Sequence, residues 1–175
     1  MRLQLPLSPE TNIVLIGMAG AGKSTVGVIL AKYAARGFVD TDVLIEVREG
    51  KLLQAILDES DYLNLRRIEE EVLLGLQLRN HVIATGGSAA YSEAAMRHLR
   101  GQGAVVFLDV EFAEVVRRVQ NLDTRGIACQ PGLSLREIFD ERRPLYRRWA
   151  DVRIACGTLG HEAVAARIME ELRTT

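Results

Sequence analysis

A chain of 175 residues is long enough for one domain with a substantial core, and too short for two domains to be expected. Its 22 basic and 23 acidic side chains nearly cancel, so it carries no general positive field for nucleic acid or an anionic membrane surface. Cys129 and Cys156 form neither a CxxC pair nor a disulfide framework, and no apolar run approaches the roughly 18 residues of a membrane span. We therefore expect a single cytoplasmic domain with no nucleic-acid or membrane partner.

The most informative stretch is the glycine-rich segment 17–25, which follows the apolar run 13–16 and opens a helical pattern. Its glycines let successive N–H groups point inward at phosphate oxygens, and the following helix adds the positive end of its dipole. Lys23 would reach the β- and γ-phosphates, and the Ser24 hydroxyl would ligate Mg²⁺. This is a P-loop, and its predicted nucleotide-binding residues are Gly20, Ala21, Gly22, Lys23, Ser24 and Thr25.

Hydrophobic periodicity predicts alternating strands and helices along the chain. A helix that starts at Lys23 is expected to stop at Gly37, and the region 42–79 is mostly helical with a break at 50–51. Predicted strands lie at 12–17, 38–39, 81–84, 104–108 and 152–155, and further helices at 112–119, 135–150 and 161–173. This order indicates an α/β protein of three layers, α/β/α, with a five-stranded parallel sheet.

Two predicted strands end in residues suited to ligand binding. Asp40 and Asp42 follow the second strand, and Gly86 and Gly87 follow the third. Ligands in open α/β sheets bind at the carboxyl ends of the strands, and a glycine pair lets backbone approach a ligand closely. The alternative for the two aspartates is helix N-capping, since Asp before a helical run is a good cap.

Two further regions are rich in charge or in turn residues. The charges of Arg67, Glu70 and Glu71 fit a solvated helix face, whereas Arg66 is considered separately below. The stretch 120–134 has no regular period and is predicted to be a mobile loop. Arginines at 136, 142, 143, 147 and 148 make the helix that follows strongly basic.

Taken in order, these motifs resemble the shikimate kinases, which belong to the nucleoside-monophosphate-kinase group of P-loop folds. The landmarks fall at 17–25, 39–42, 65–69, 84–87, 124–125 and 142–147. The resemblance implies one P-loop kinase domain over 1–175, with substrate-binding helices at about 42–79 and a mobile lid at about 120–134. It also implies a monomeric enzyme that uses ATP and Mg²⁺ to phosphorylate the 3-hydroxyl of shikimate, in aromatic amino acid biosynthesis.

On the nucleotide side, the resemblance assigns five roles. Lys23 and Arg125 would act on the transferred phosphoryl group, with Arg125 as the lid arginine. Arg118 would stack on the adenine. Ser24 and Asp40 would hold Mg²⁺, with Asp40 acting through water because Mg²⁺ retains several waters.

On the acceptor side, Asp42 would hold the attacking hydroxyl and accept its proton. Arg66 and Arg142 would grip the substrate carboxylate, which planar guanidinium groups match well. Gly86 and Gly87 would offer backbone N–H groups to substrate hydroxyls.

Several positions depart from the family pattern. Ser88 replaces a third glycine, Gly126 follows the lid arginine where proline is usual, and Leu57 and Leu65 replace aromatic residues. The alternatives are therefore a related kinase for another carboxylated or polyhydroxylated acceptor, or a catalytically silent ATP-binding relative. Gluconate-kinase-like and adenylate-kinase-like enzymes share the P-loop, but the 40–42 motif and Arg66 argue against them.

Overall fold

A computed structural model describes residues 10–119 and 126–174. Five strands form one parallel sheet in the order β2-β3-β1-β4-β5, with the P-loop strand β1 at its centre. The strands are β1 (Asn12–Ile16), β2 (Gly37–Asp40), β3 (His81–Ala84), β4 (Gly103–Asp109) and β5 (Val152–Ala155). The predicted five-stranded parallel sheet is confirmed.

Helices cover the sheet, as a parallel sheet with crossover connections requires. Helix α1 packs against α8, while α5 packs against both α4 and β4. The helices among the described residues are α1 (Lys23–Ala34), α2 (Thr41–Glu49), α3 (Leu53–Glu59), α4 (Tyr62–Gly75), α5 (Glu93–Gln102), α6 (Phe112–Arg118), α7 (Leu135–Trp149) and α8 (His161–Thr174).

The core lies on both faces of the neighbouring strands β1 and β4. Every residue of β1 and β4 is buried, because their near-continuous apolar runs face helices on both sides. From α7, Tyr146 is fully buried and its ring lies 5.3 Å from that of Phe107. Among the described residues, no helix is long and apolar enough to cross a membrane.

Two local predictions were wrong. Gly37 does not stop the first helix: α1 ends at Ala34, Ala35 adopts a left-handed conformation with φ 52°, and Gly37 is the first residue of β2. A Cβ on Gly37 would collide with the His81 ring of the neighbouring strand, so this glycine serves strand packing. The sequence prediction also left out helix α5, because alanine, glycine and charged residues dominate it and its apolar stripe is short.

Candidate active site

The P-loop lies at the centre of the sheet, between β1 and α1. Gly22 is the N-cap of α1 and has φ 91°, a conformation that favours glycine. The Lys23 side chain is buried, and its ammonium group donates to the carbonyls of Gly17 at 2.8 Å and Met18 at 2.9 Å. Burial lowers the pKa of Lys23 to about 8, with Asp42 and Asp40 opposing the shift. Carbonyl groups of the P-loop thus hold the Lys23 ammonium group in place.

Ser24 and Asp40 meet beside the loop. The Ser24 hydroxyl donates to Asp40 Oδ2 at 2.5 Å, and Asp40 Oδ1 accepts the backbone N–H of Asp42 at 3.0 Å, which caps α2. The N-cap role and the proximity to Ser24 therefore coexist at Asp40. Within 10–119 and 126–174 there is no cluster of three or more His, Cys, Asp or Glu side chains that could hold a metal. Two neighbouring oxygens nevertheless fit Mg²⁺, which takes few protein ligands and completes its shell with water and phosphate.

Asp42 lies in the first turn of α2 and faces Gly86 across the cavity floor. Burial raises the pKa of Asp42 to about 6, while the Lys23 ammonium acts in the opposite direction. A Cβ on Gly86 would lie 2.7 Å from Asp42 Oδ1 and would collide with Glu69 Oε1. Only glycine leaves room at this point for the two carboxyl groups.

The glycine pair has partners already. The Gly86 N–H donates to the Thr41 hydroxyl at 3.1 Å, and the Gly87 carbonyl accepts from the Tyr146 hydroxyl at 2.6 Å. A Cβ on Gly87 would lie 2.9 Å from Arg142 Nη1. The Gly86 amide, which was predicted to face a ligand, is thus occupied by Thr41 in this structure.

Arg66 and Arg142 converge on one backbone carbonyl, although they come from α4 and α7. Arg142 Nη2 donates to the Ala128 carbonyl at 2.8 Å and Arg66 Nε donates to the same oxygen at 3.2 Å. The Arg66 guanidinium also lies 3.6 Å from the centroid of the Tyr91 ring. Arg142 is only 1% exposed, and its Nε has no hydrogen-bond partner among the described residues. Its charge is buried without a carboxylate within ion-pair distance in the part of the chain that the structure describes.

Arg118 closes the other end of the site. Its Nη1 lies 3.5 Å from the Gly20 carbonyl, and its Nε donates to Glu114 at 2.6 Å. The His161 ring, at the start of α8, lies 3.1 Å from where a Cβ on Gly22 would be. Arg118 and His161 thus flank the P-loop where α1 begins.

A cavity of about 450 Å³ joins these parts. Ala21 and Asp40 lie just outside its lining, and Arg66 lines a neighbouring cavity of about 290 Å³. Arg125 and the first part of the predicted lid, 120–125, lie outside the described residues. The predicted residues that line the larger cavity are Gly20, Gly22, Lys23, Ser24, Thr25, Asp42, Gly86, Gly87, Arg118 and Arg142.

Comparisons with known proteins identify the family. A family model described as shikimate kinase matches residues 19–173. The chain belongs to the shikimate kinase family. Shikimate kinase from Mycobacterium avium is 38% identical over 165 residues, covering 93% of each chain, and that from Thiobacillus denitrificans is 38% identical over 151 residues, covering 85% of this chain and 82% of the relative.

Solved structures of related proteins also resemble this chain. Shikimate kinase from Acinetobacter baumannii, solved in complex with shikimate, superposes with a TM-score of 0.85 at 29% identity and covers 94% of each chain. Thymidylate kinase from Candida albicans, at 12% identity and a TM-score of 0.63, shares the fold and covers 94% of this chain and 92% of its own. The P-loop kinase fold is therefore shown.

Sequence reasoning gave no part in ligand binding or catalysis to Glu69 and His161, which line the cavity. A signal was present for Glu69, because it falls on the buried stripe of α4 with Leu65, Ile68 and Leu73. A carboxylate on such a stripe needs an explanation. For His161 the signal was its place after β5, since loops that follow parallel strands gather at one edge of the sheet.

Proposed function

We propose that this chain transfers the γ-phosphate of ATP to the 3-hydroxyl of shikimate, with Mg²⁺ as cofactor. One observation carries the proposal: the P-loop Lys23, the carboxylate of Asp42 and the buried guanidinium of Arg142, whose Nε has no hydrogen-bond partner among the described residues, line the same cavity. A phosphate site, a proton acceptor and an anion site are thus brought together. The family relationship supports the choice of shikimate.

For the nucleotide, the P-loop amides and Lys23 bind the phosphates. Lys23 exchanges the carbonyls of Gly17 and Met18 for phosphate oxygens, and its charge then lies where negative charge accumulates. Arg118 binds at the outer end of the nucleotide. Ser24 and Asp40 would hold Mg²⁺, which when bound would neutralise part of the phosphate charge.

For the acceptor, Arg142 and Arg66 bind the carboxylate and Asp42 holds the attacking hydroxyl. The hydroxyl oxygen forms a bond to the γ-phosphorus as the bond between that phosphorus and the β–γ bridging oxygen breaks, so that ADP leaves. The hydroxyl proton passes to the Asp42 carboxylate. Positioning and electrostatics do most of the work, as in other phosphoryl transfers.

Further features belong to the same proposal. Arg125 contributes a positive charge to the phosphates; this rests on the family resemblance, since Arg125 lies outside the described residues. The enzyme is further proposed to act as a monomeric, single-domain cytoplasmic protein, as the family resemblance implies. Sedimentation analysis of the purified protein should give a mass near 19.4 kDa with and without substrates.

The test is an acceptor panel. ADP release with Mg·ATP is measured with shikimate, quinate, gluconate, homoserine and no acceptor, at equal concentrations. We expect turnover with shikimate well above all other rates. Equal rates with and without acceptor would instead indicate an ATPase, and no ADP release with any acceptor would indicate a silent relative.

A second candidate is phosphorylation of another carboxylated acceptor. The observation in its favour is that Ser88 and Leu65, which depart from the family pattern, line the cavity. A higher rate with quinate or gluconate than with shikimate would favour this candidate. The same assay therefore separates the two.

A further inference from the structure

Two buried side chains that line the cavity have no part in the reaction described so far. Glu69, on α4, is 3% exposed, and Ser88, on the turn after β3, is 7% exposed. The Ser88 hydroxyl donates a hydrogen bond to Glu69 Oε2. Both residues line the large cavity and the smaller one, so they form part of the wall between them.

Glu69 and Arg142 carry opposite charges, line the same cavity and do not form an ion pair within 4 Å among the described residues. The glycine pair shows how they are kept apart. A Cβ on Gly86 would collide with Glu69, whereas a Cβ on Gly87 would meet Arg142. Each charged group thus faces a different glycine of the same turn.

The unpaired atoms of the two side chains support this view. Glu69 Oε1 and Arg142 Nε are both buried and have no hydrogen-bond partner in the part of the chain that the structure describes. A buried ion pair would satisfy both atoms, and burial would strengthen the attraction between the two charges. Something must therefore hold Glu69 on its own side of the turn, and the hydrogen bond from Ser88 is the contact that does so.

We propose that Ser88 is a positioning residue that keeps Glu69 away from Arg142, so that the Arg142 guanidinium stays open to the carboxylate of the acceptor. Without the Ser88 hydroxyl, Glu69 rotates toward Arg142 and competes with the acceptor for it. This inference rests on the proposed function, because it assumes a carboxylate-bearing acceptor.

The experiment compares steady-state kinetics of the wild type with Ser88→Ala. Ser88 has φ −97°, a conformation that alanine adopts without strain, so the variant should fold. Loss of one hydrogen bond to a buried carboxylate should raise the KM for shikimate about 3- to 10-fold, with the KM for ATP unchanged. Ser88→Thr keeps the hydroxyl and should stay close to the wild type.

Rescue distinguishes positioning from a merely structural role. In the double variant Ser88→Ala/Glu69→Gln the competing charge is gone, so the KM for shikimate should return toward that of Glu69→Gln alone. The matched control is Ser92→Ala, which removes a similar hydrogen bond from a serine to Glu70 of α4, together with the N-cap of α5, outside the large cavity. It should leave the KM for shikimate unchanged.

The two possible failures can be told apart. If the wild type turns over shikimate but Ser88→Ala has the wild-type KM, or if Glu69→Gln gives no rescue, the inference is overturned while the proposed function stands. If the wild type itself phosphorylates no carboxylated acceptor, the proposed function fails, and the inference fails with it. A crystal structure of Ser88→Ala supplies a readout besides activity: we expect Glu69 within ion-pair distance of Arg142, and a wild-type position of Glu69 would contradict the inference.

Discussion

At the scale of single residues, the site depends on charged groups that are held close together without cancelling one another. Lys23 binds carbonyl groups, Asp42 faces a glycine, and Arg142 binds a backbone carbonyl. Each group therefore keeps the capacity to bind a substrate group of opposite charge. Buried charges of this kind cost stability when no ligand is bound, which is typical of functional sites.

Asp42 gives the first prediction at this scale. Asp42→Asn keeps the size of the side chain but removes the proton acceptor, so kcat should fall by about 10²- to 10⁴-fold. Affinity for Mg·ATP, measured by calorimetry, should hardly change. The control is Asp140→Asn, since Asp140 is exposed and pairs with Arg136 on the surface of α7. A wild-type kcat in Asp42→Asn would remove Asp42 from the mechanism.

The second prediction at this scale concerns Arg142. Lysine at this position keeps the charge but loses the planar fork that binds a carboxylate through two hydrogen bonds. Arg142→Lys should therefore raise the KM for shikimate by about 10-fold or more and leave that for ATP nearly unchanged. Arg136→Lys on the exposed face of α7 is the control. Equal increases in both KM values would show that the substitution disturbs the whole cavity.

Protonation of Glu69 makes the stability of the folded chain depend on pH. Burial raises the pKa of Glu69 from 4.5 to about 7, while the hydrogen bond from Ser88 and the charges of Arg142 and Lys23 act in the opposite direction. Between pH 4.5 and 7 the folded chain therefore binds more protons at this site than the unfolded chain, and the stability from this group is lost as the pH rises.

Replacing Glu69 by Gln removes this dependence. In urea unfolding at pH 8, Glu69→Gln should be more stable than the wild type by about 1–3 kcal/mol, and the difference should largely vanish at pH 4.5. The control is Glu170→Gln, at an exposed position on α8. A difference that stayed constant with pH would show that Glu69 is ionised to the same extent in the folded and unfolded chains.

At the scale of elements, the turn after β3 is the tightest part of the site. Gly86 is buried, and it faces two carboxyl groups that approach it from α2 and α4. A side chain at this position would therefore displace the carboxyl groups of Glu69 and Asp42. Its glycine is required by space, since the backbone at Gly86 is not in the left-handed region.

Gly86→Ala tests this packing. The added methyl group should lower the free energy of unfolding by about 1–3 kcal/mol, because it overpacks a buried turn. Gly101→Ala is a suitable control: a Cβ there meets nothing within 4 Å, and alanine in helix α5 should raise stability by about 0.5–1 kcal/mol. Equal stability of the two variants, measured by urea unfolding, would contradict the packing account.

At the scale of the whole molecule, the sheet and the P-loop could be predicted because their signals are local. Apolar runs gave the strands, and the pattern 17–25 gave the phosphate site. Arg66 and Arg142 both donate to the Ala128 carbonyl, and this could not be predicted from periodicity. It depends on how α4 and α7 pack against the loop that contains Ala128. The partner of Glu69 was missed for the same reason, since Ser88 lies 19 residues away in the chain.

The most direct test of the central claim is the structure of the product. Purified protein is incubated with Mg·ATP and shikimate, and the mixture is followed by ³¹P NMR. The account predicts ADP and a new phosphomonoester in equal amounts, with the new phosphorus coupled to the single proton on C3 of shikimate. Inorganic phosphate in place of the ester, or a phosphorus coupled to the proton on another carbon of shikimate, would contradict the account.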